Sequence, residues 1–138
     1  MTARLPEYEI TGLGSAAAVL WDIDGTLLTS GGVAARAFLD AVEQVGGARP
    51  NPAGIDFGGR IDPEIATLLL AAIGQDAVLV PAVLARLAEL LEERSEALTA
   101  HTQALAGVVP LLHRLAAAGV LQTVVTGNIN SVALRKLG

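Results

Sequence analysis

Two apolar runs without internal turn signals frame the chain. Val19-Leu20-Trp21 leads into Asp22-Ile23-Asp24-Gly25-Thr26, and Val120–Val125 leads into Thr126-Gly127-Asn128. Each reads as a buried strand that ends in small polar residues, and the β-branched second run suits a parallel sheet. Between them the period changes. Val33, Ala37, Phe38, Ala41, Val42 and Val45 recur at helical spacing, predicting a helix over 33–45 that Gly46-Gly47 stops. After a loop rich in proline and glycine, Asp62-Pro63 predicts a helix start in which the aspartate caps and the proline fits the first turn. Ile65, Leu68, Leu69 and Ala72 form that helix's apolar face, and Gly74 ends it. A longer helix is expected from about Pro81 towards Ala100, with Leu84, Leu87, Leu91 and Leu98 inward and the glutamates in solvent. Val108–Ala118 predicts a further helix, closed by Gly119, and Asn130 or Ser131 caps a last one.

Val33 to Ala100 is therefore almost wholly helical and lies between two segments that look like parts of one α/β sheet. In such a sheet the carboxyl ends of parallel strands share an edge, so Asp22, Asp24, Thr26, Thr126 and Asn128 are expected to converge.

Composition narrows the picture. A length of 138 residues suits one domain and is short for two, and 52% hydrophobic residues argue for a packed core. A formal charge of -5 argues against nucleic acid as a partner. The absence of cysteine excludes disulfides, thiolate metal sites and cysteine nucleophiles, and suits a cytoplasmic setting. Residues 1–14 read as a lead-in with no secretory signal. No apolar window reaches a clean span of about 20 residues, so no membrane is expected. Gly12-Leu13-Gly14-Ser15-Ala16-Ala17 matches the dinucleotide-binding glycine pattern, but it precedes the first strand instead of following it. An EF-hand starting at Asp22 fails because its twelfth position is Val33.

Two carboxylates one residue apart at a strand end cost free energy unless something compensates them. Asp22 and Asp24 thus point to a nucleophilic or metal-binding site, with Gly25 allowing a sharp backbone turn. Aspartate attack on an electrophile, aided by a general acid/base, is the chemistry this pair can perform. A hydroxyl, backbone N–H groups and a divalent cation would hold the transferring oxygens, and magnesium is the natural ion for an all-oxygen site beside phosphate.

Asp22-Ile23-Asp24-Gly25-Thr26 after a hydrophobic strand resembles the first motif of the haloacid dehalogenase-like hydrolases, and Val-Val-Thr126-Gly127-Asn128 resembles their second. The resemblance implies an α/β fold: a partial Rossmann-like parallel sheet core with an inserted all-helical cap. Residues 1–30 and 104–138 would form the core and 31–103 the cap, of type 1. Asp22 would be the nucleophile and a magnesium ligand. Asp24 would be the acid/base, with its carbonyl on the metal. Gly25, Thr26, Thr126, Gly127 and Asn128 would bind phosphate, and Gly58-Gly59-Arg60-Ile61-Asp62 resembles the cap of phosphoglycolate phosphatase-like members. Arg60 could then reach a substrate carboxylate or phosphate. The implied activity is a magnesium-dependent phosphatase acting on a small phosphorylated metabolite through an aspartyl-phosphate. Alternatives are a β-phosphoglucomutase-like phosphotransferase and an inactive fragment that only binds.

The chain also departs from that family. Lys136, its only lysine, falls too soon after Asn128 to match the family's later lysine, and no acidic residue follows Asn128. The family's lysine and second acidic pair are therefore expected to be missing, as in a C-terminally truncated member. Weak or absent activity and self-association through an incomplete sheet edge are the expected consequences. His101 and His113 have no neighbours at ligand spacing and are read as structural.

Overall fold

The computed structural model describes residues 18–137. The lead-in and the glycine pattern at 12–17 lie outside the described residues. The fold is mixed α/β. Strand β1 (Ala18–Trp21) pairs in parallel with β4 (Leu121–Val124), Ala18 facing Leu121 and Trp21 facing Val124. Two side-chain bonds tie this pair to the helix before β4, α5 (Val108–Ala117). Trp21 Nε1 donates to Gln122 Oε1 at 3.1 Å, and Gln122 Nε2 donates to the Leu112 carbonyl at 3.0 Å.

Between these strands come α1 (Val33–Gly46), α2 (Asp62–Ala72), α3 (Val80–Glu93) and α4 (Ser95–His101). A short antiparallel pair flanks the four helices, β2 (Leu28–Thr29) with β3 (Gln103–Ala104), and so ties the entry of the insert to its exit. The expected periodicities hold. Val33, Ala37, Phe38, Ala41 and Val42 are the buried positions of α1, and Gly47 ends it in the left-handed region with its N–H on the Glu43 carbonyl. They pack with Leu69 and Leu70 of α2, Leu87 and Leu91 of α3, and Leu98 of α4 into one core. Val132 of the last helix, α6 (Asn130–Leu137), joins it.

Three expectations are corrected. The helix read as running from Pro81 to Ala100 is divided at Arg94, whose ψ of 19° lies outside the helical region. Arg94 instead reaches across to α1, donating to Asp40 Oδ2 at 2.6 Å. Asp62 does not cap α2. Ile61 holds the cap position without a side-chain bond, because the Asp62 carboxylate is taken by a distant residue described below. The strands are not buried on both faces either, since Leu20 is 65% and Leu121 64% exposed. A parallel strand is covered only where helices pack on both faces, and a two-stranded sheet flanked by α5 has too few of them.

Candidate active site

The carboxyl ends of β1 and β4 do meet. After Trp21 the chain makes a tight hook around Ile23, whose carbonyl accepts from Leu27 N at 2.9 Å and Leu28 N at 3.2 Å. Gly25 sits inside that hook at φ +75°, a conformation costly for any residue with a Cβ, and its N–H bonds the Leu28 carbonyl at 2.9 Å. Ile23 is fully buried and packs with Leu28 and Ala133, which anchors the hook from below. Asp22 and Asp24, on either side of Ile23, are left at the surface. On the other strand, the Val125 N–H donates to the Trp21 carbonyl at 2.8 Å and carries the pairing up to Thr126.

A connected polar network spans the two ends. The Thr126 hydroxyl oxygen accepts from Asn128 Nδ2 at 2.7 Å and from Asn128 N at 3.1 Å. Asn128 Nδ2 also donates to Asp24 Oδ2 at 2.8 Å. Lys136 closes the network. Its Nζ donates to Asp24 Oδ1 at 2.9 Å, Asp24 Oδ2 at 2.7 Å and Asn128 Oδ1 at 2.8 Å. An ammonium brings its own charge to such contacts and is otherwise costly to bury. Lys136 is only 7% exposed, so the contacts hold a nearly desolvated cation in place. Asp22 differs: among the described residues no side chain hydrogen-bonds its carboxylate.

Lys136 is the residue that the sequence reading set aside. Its separation from Asn128 argued against a site role, yet one turn of α6 after Ala133 brings it back over the strand ends. The available signal was periodicity, since Ile129, Val132, Ala133 and Lys136 share one helix face, and Val132 and Ala133 are buried with the lysine. Among the described residues no group of three or more His, Cys, Asp or Glu could enclose a metal ion. The Asp22 carboxylate, which lines the cavity, is a hard oxygen donor of the kind magnesium takes together with substrate phosphate and water.

The insert reaches the site through one stretch of chain. The Asp62 N–H donates to the Gly127 carbonyl at 2.9 Å, and Asp62 Oδ2 accepts from Ile129 N at 2.8 Å. Gly127 lies so close to this stretch that a Cβ there would sit 2.7 Å from the Arg60 carbonyl oxygen and 3.0 Å from Ile61 Cα. Its lack of a side chain therefore admits the insert to the sheet. Burial pushes the Asp62 carboxyl above the usual carboxylate value, and the Asp24 charge adds to this; the Ile129 N–H and Lys136 oppose it. Arg60 stays exposed, its Nε donating to the Asp56 carbonyl at 2.7 Å. Thr26 is exposed on the hook and joins no side-chain network among the described residues. The His101 ring Nδ1 lies 2.8 Å from the Ala97 carbonyl in the preceding turn.

Asp22, Asp24, Gly25, Arg60, Thr126, Gly127 and Lys136 all line one cavity of about 820 Å³, which runs from the strand ends into the helical insert. No curated protein matches the chain. The family model described as haloacid dehalogenase-like hydrolase matches residues 19–137, from the first residues of β1 to the end of α6. A match that takes in both strands, the insert and the final helix covers most of the chain, and the protein belongs to the haloacid dehalogenase-like hydrolases.

Proposed function

We propose that the protein is a magnesium-dependent phosphatase of a phosphate monoester, in the phosphoglycolate phosphatase-like branch, with residues 31–103 as a type 1 cap. The observation that carries this reading is the asymmetry of the two aspartates. Asp22 opens onto the cavity without a side-chain partner among the described residues, whereas Asp24, two residues on, is held by Lys136 and Asn128. An unpaired carboxylate can attack, and a held one can exchange protons.

In this reading an Asp22 oxygen attacks phosphorus, the ester P–O bond breaks, and the leaving oxygen takes a proton from the Asp24 carboxyl. Water then gives a proton back to Asp24 while its oxygen displaces Asp22 from phosphorus, releasing inorganic phosphate. An arriving phosphate dianion competes with Asp24 for the Lys136 ammonium. The Thr126 hydroxyl, which accepts from Asn128 and keeps its own proton to donate, and the Gly127 N–H would hold phosphoryl oxygens. Arg60, on the cavity wall, adds a second cation. Magnesium held by Asp22 and the Asp24 carbonyl would offset phosphoryl charge.

With so few protein ligands for the ion, turnover is expected to be slow. An assay of this chain with magnesium and an aryl phosphate should give weak hydrolysis that Asp22→Asn abolishes. Undiminished turnover in that variant, or none in the unaltered protein, would remove the proposal's support. Exposed Leu20 and Leu121 on the sheet favour self-association, which sedimentation at rising concentration measures. A cytoplasmic setting completes the proposal and rests on composition alone.

A further inference from the structure

The cavity is chemically divided. Every charged residue that lines it stands at one end: Asp22 and Asp24 at a strand end, Lys136 on α6 against Asp24, and Arg60 and Asp62 in the stretch pressed against Gly127. Away from these, its walls are Phe38 and Leu39 of α1, Ile65 and Leu69 of α2, and Leu87 and Leu91 of α3. Leu69, Leu87 and Leu91 are at most 1% exposed and belong to the core of the insert, so the cavity only grazes them and its accessible apolar wall is formed by Phe38, Leu39 and Ile65. Its volume of about 820 Å³ falls in the range of sites that enclose a small organic molecule.

We infer that the phosphatase substrate is a monophosphate ester with an apolar organic group, aryl or alkyl, seated between α1, α2 and α3. This rests on the proposed function for the phosphate end only. A phosphate at Asp22 must direct its ester substituent either out to solvent or into the insert. The uncharged polar side chains of the lining are Thr29, Ser30 and Thr126, so a carboxylate or a row of hydroxyls sent inward against Phe38, Leu39 and Ile65 would lose more hydrogen bonds to water than it regains. An apolar group gains from the same burial. A phosphorylated carboxylic acid or sugar is therefore the poorer fit for this interior.

Binding separates this inference from the catalytic one, because phosphonates carry the phosphate-like end and are not hydrolysed. Calorimetry with magnesium and methyl-, butyl- and hexylphosphonate should show affinity rising by about threefold for each added methylene. Phosphonoacetate should bind no better than methylphosphonate. Ile65→Ser places a hydroxyl on the cavity wall and should flatten the chain-length dependence, while circular dichroism reports whether the helices remain. Affinity independent of chain length, or phosphonoacetate binding more tightly than butylphosphonate, would overturn the apolar assignment even if hydrolysis of aryl phosphate is observed. Rising affinity without any hydrolysis would support the cavity assignment and remove the phosphatase. Failure of every phosphonate to bind would overturn both.

Discussion

In the helical insert Val42, Leu70, Val83 and Leu91 are fully buried, whereas on the two-stranded sheet Leu20 and Leu121 are 65% and 64% exposed. The insert has four helices with apolar faces that close on one another, so each buried side chain finds partners within the same unit. The sheet has two strands and α5, with Gln122 joining them through its amide. Yet Asp22, Asp24, Thr126 and Asn128 all stand on the sheet side. Packing is concentrated in one region and chemistry in the other, and Asp62 and Gly127 are where the two touch. The better-packed region thus contributes the apolar side of the cavity, and the thinner one the polar residues at its other end.

The strongest test of this contrast is a pair of truncations of the same residue type. Leu87→Ala empties a site that is 1% exposed and should cost about 2–5 kcal/mol in urea unfolding. Leu121→Ala, on the open strand, should change stability by about 0.5 kcal/mol or less. Equal losses would mean that the strand is covered in solution. Next in size is the ammonium that crosses from α6 to the strand ends. Lys136→Met leaves the Asp24 charge without its ammonium, and should weaken inorganic phosphate binding by roughly 10- to 100-fold in calorimetry. Unchanged binding would confine Lys136 to holding Asp24.

The junction itself can be wedged open. Gly127→Ala puts a methyl group against the Arg60 carbonyl and Ile61, where main chain must move, and should destabilise by about 1–3 kcal/mol. A neutral effect would show that the insert is free to shift away from the sheet. The smallest effect is a pH dependence. Burial raises the Asp62 carboxyl above its ordinary 3.8, so the folded chain retains a proton that the unfolded chain has released. Stability should therefore fall as pH rises from the ordinary carboxylate value through the raised one. Asp62→Asn keeps an acceptor for the Ile129 N–H and cannot ionise, so its urea midpoint should vary less than that of the unaltered protein between about pH 3 and 7. Parallel pH profiles would place the Asp62 carboxyl in water.

Local pattern alone determined a good part of this molecule. The face of α1, the stop at Gly47, the start of α2 at Asp62-Pro63 and both strands follow from periodicity and from glycine and proline, because each depends on interactions a few residues apart. The aspartate pair was legible for a similar reason: two charges closing an apolar run need a purpose wherever the rest of the chain goes. Tertiary structure decided what pattern could not. Arg94 interrupts a helix because Asp40 lies opposite, and Asp62 forgoes capping its own helix because the Ile129 N–H, 67 residues away, needs an acceptor. Lys136 enters the site because α6 folds back over the strand ends, bringing its ammonium to Asp24 across 112 residues of sequence. Composition could show that the core is apolar. Only the packing of α1, α2 and α3 could leave a cavity inside it that opens on the aspartates.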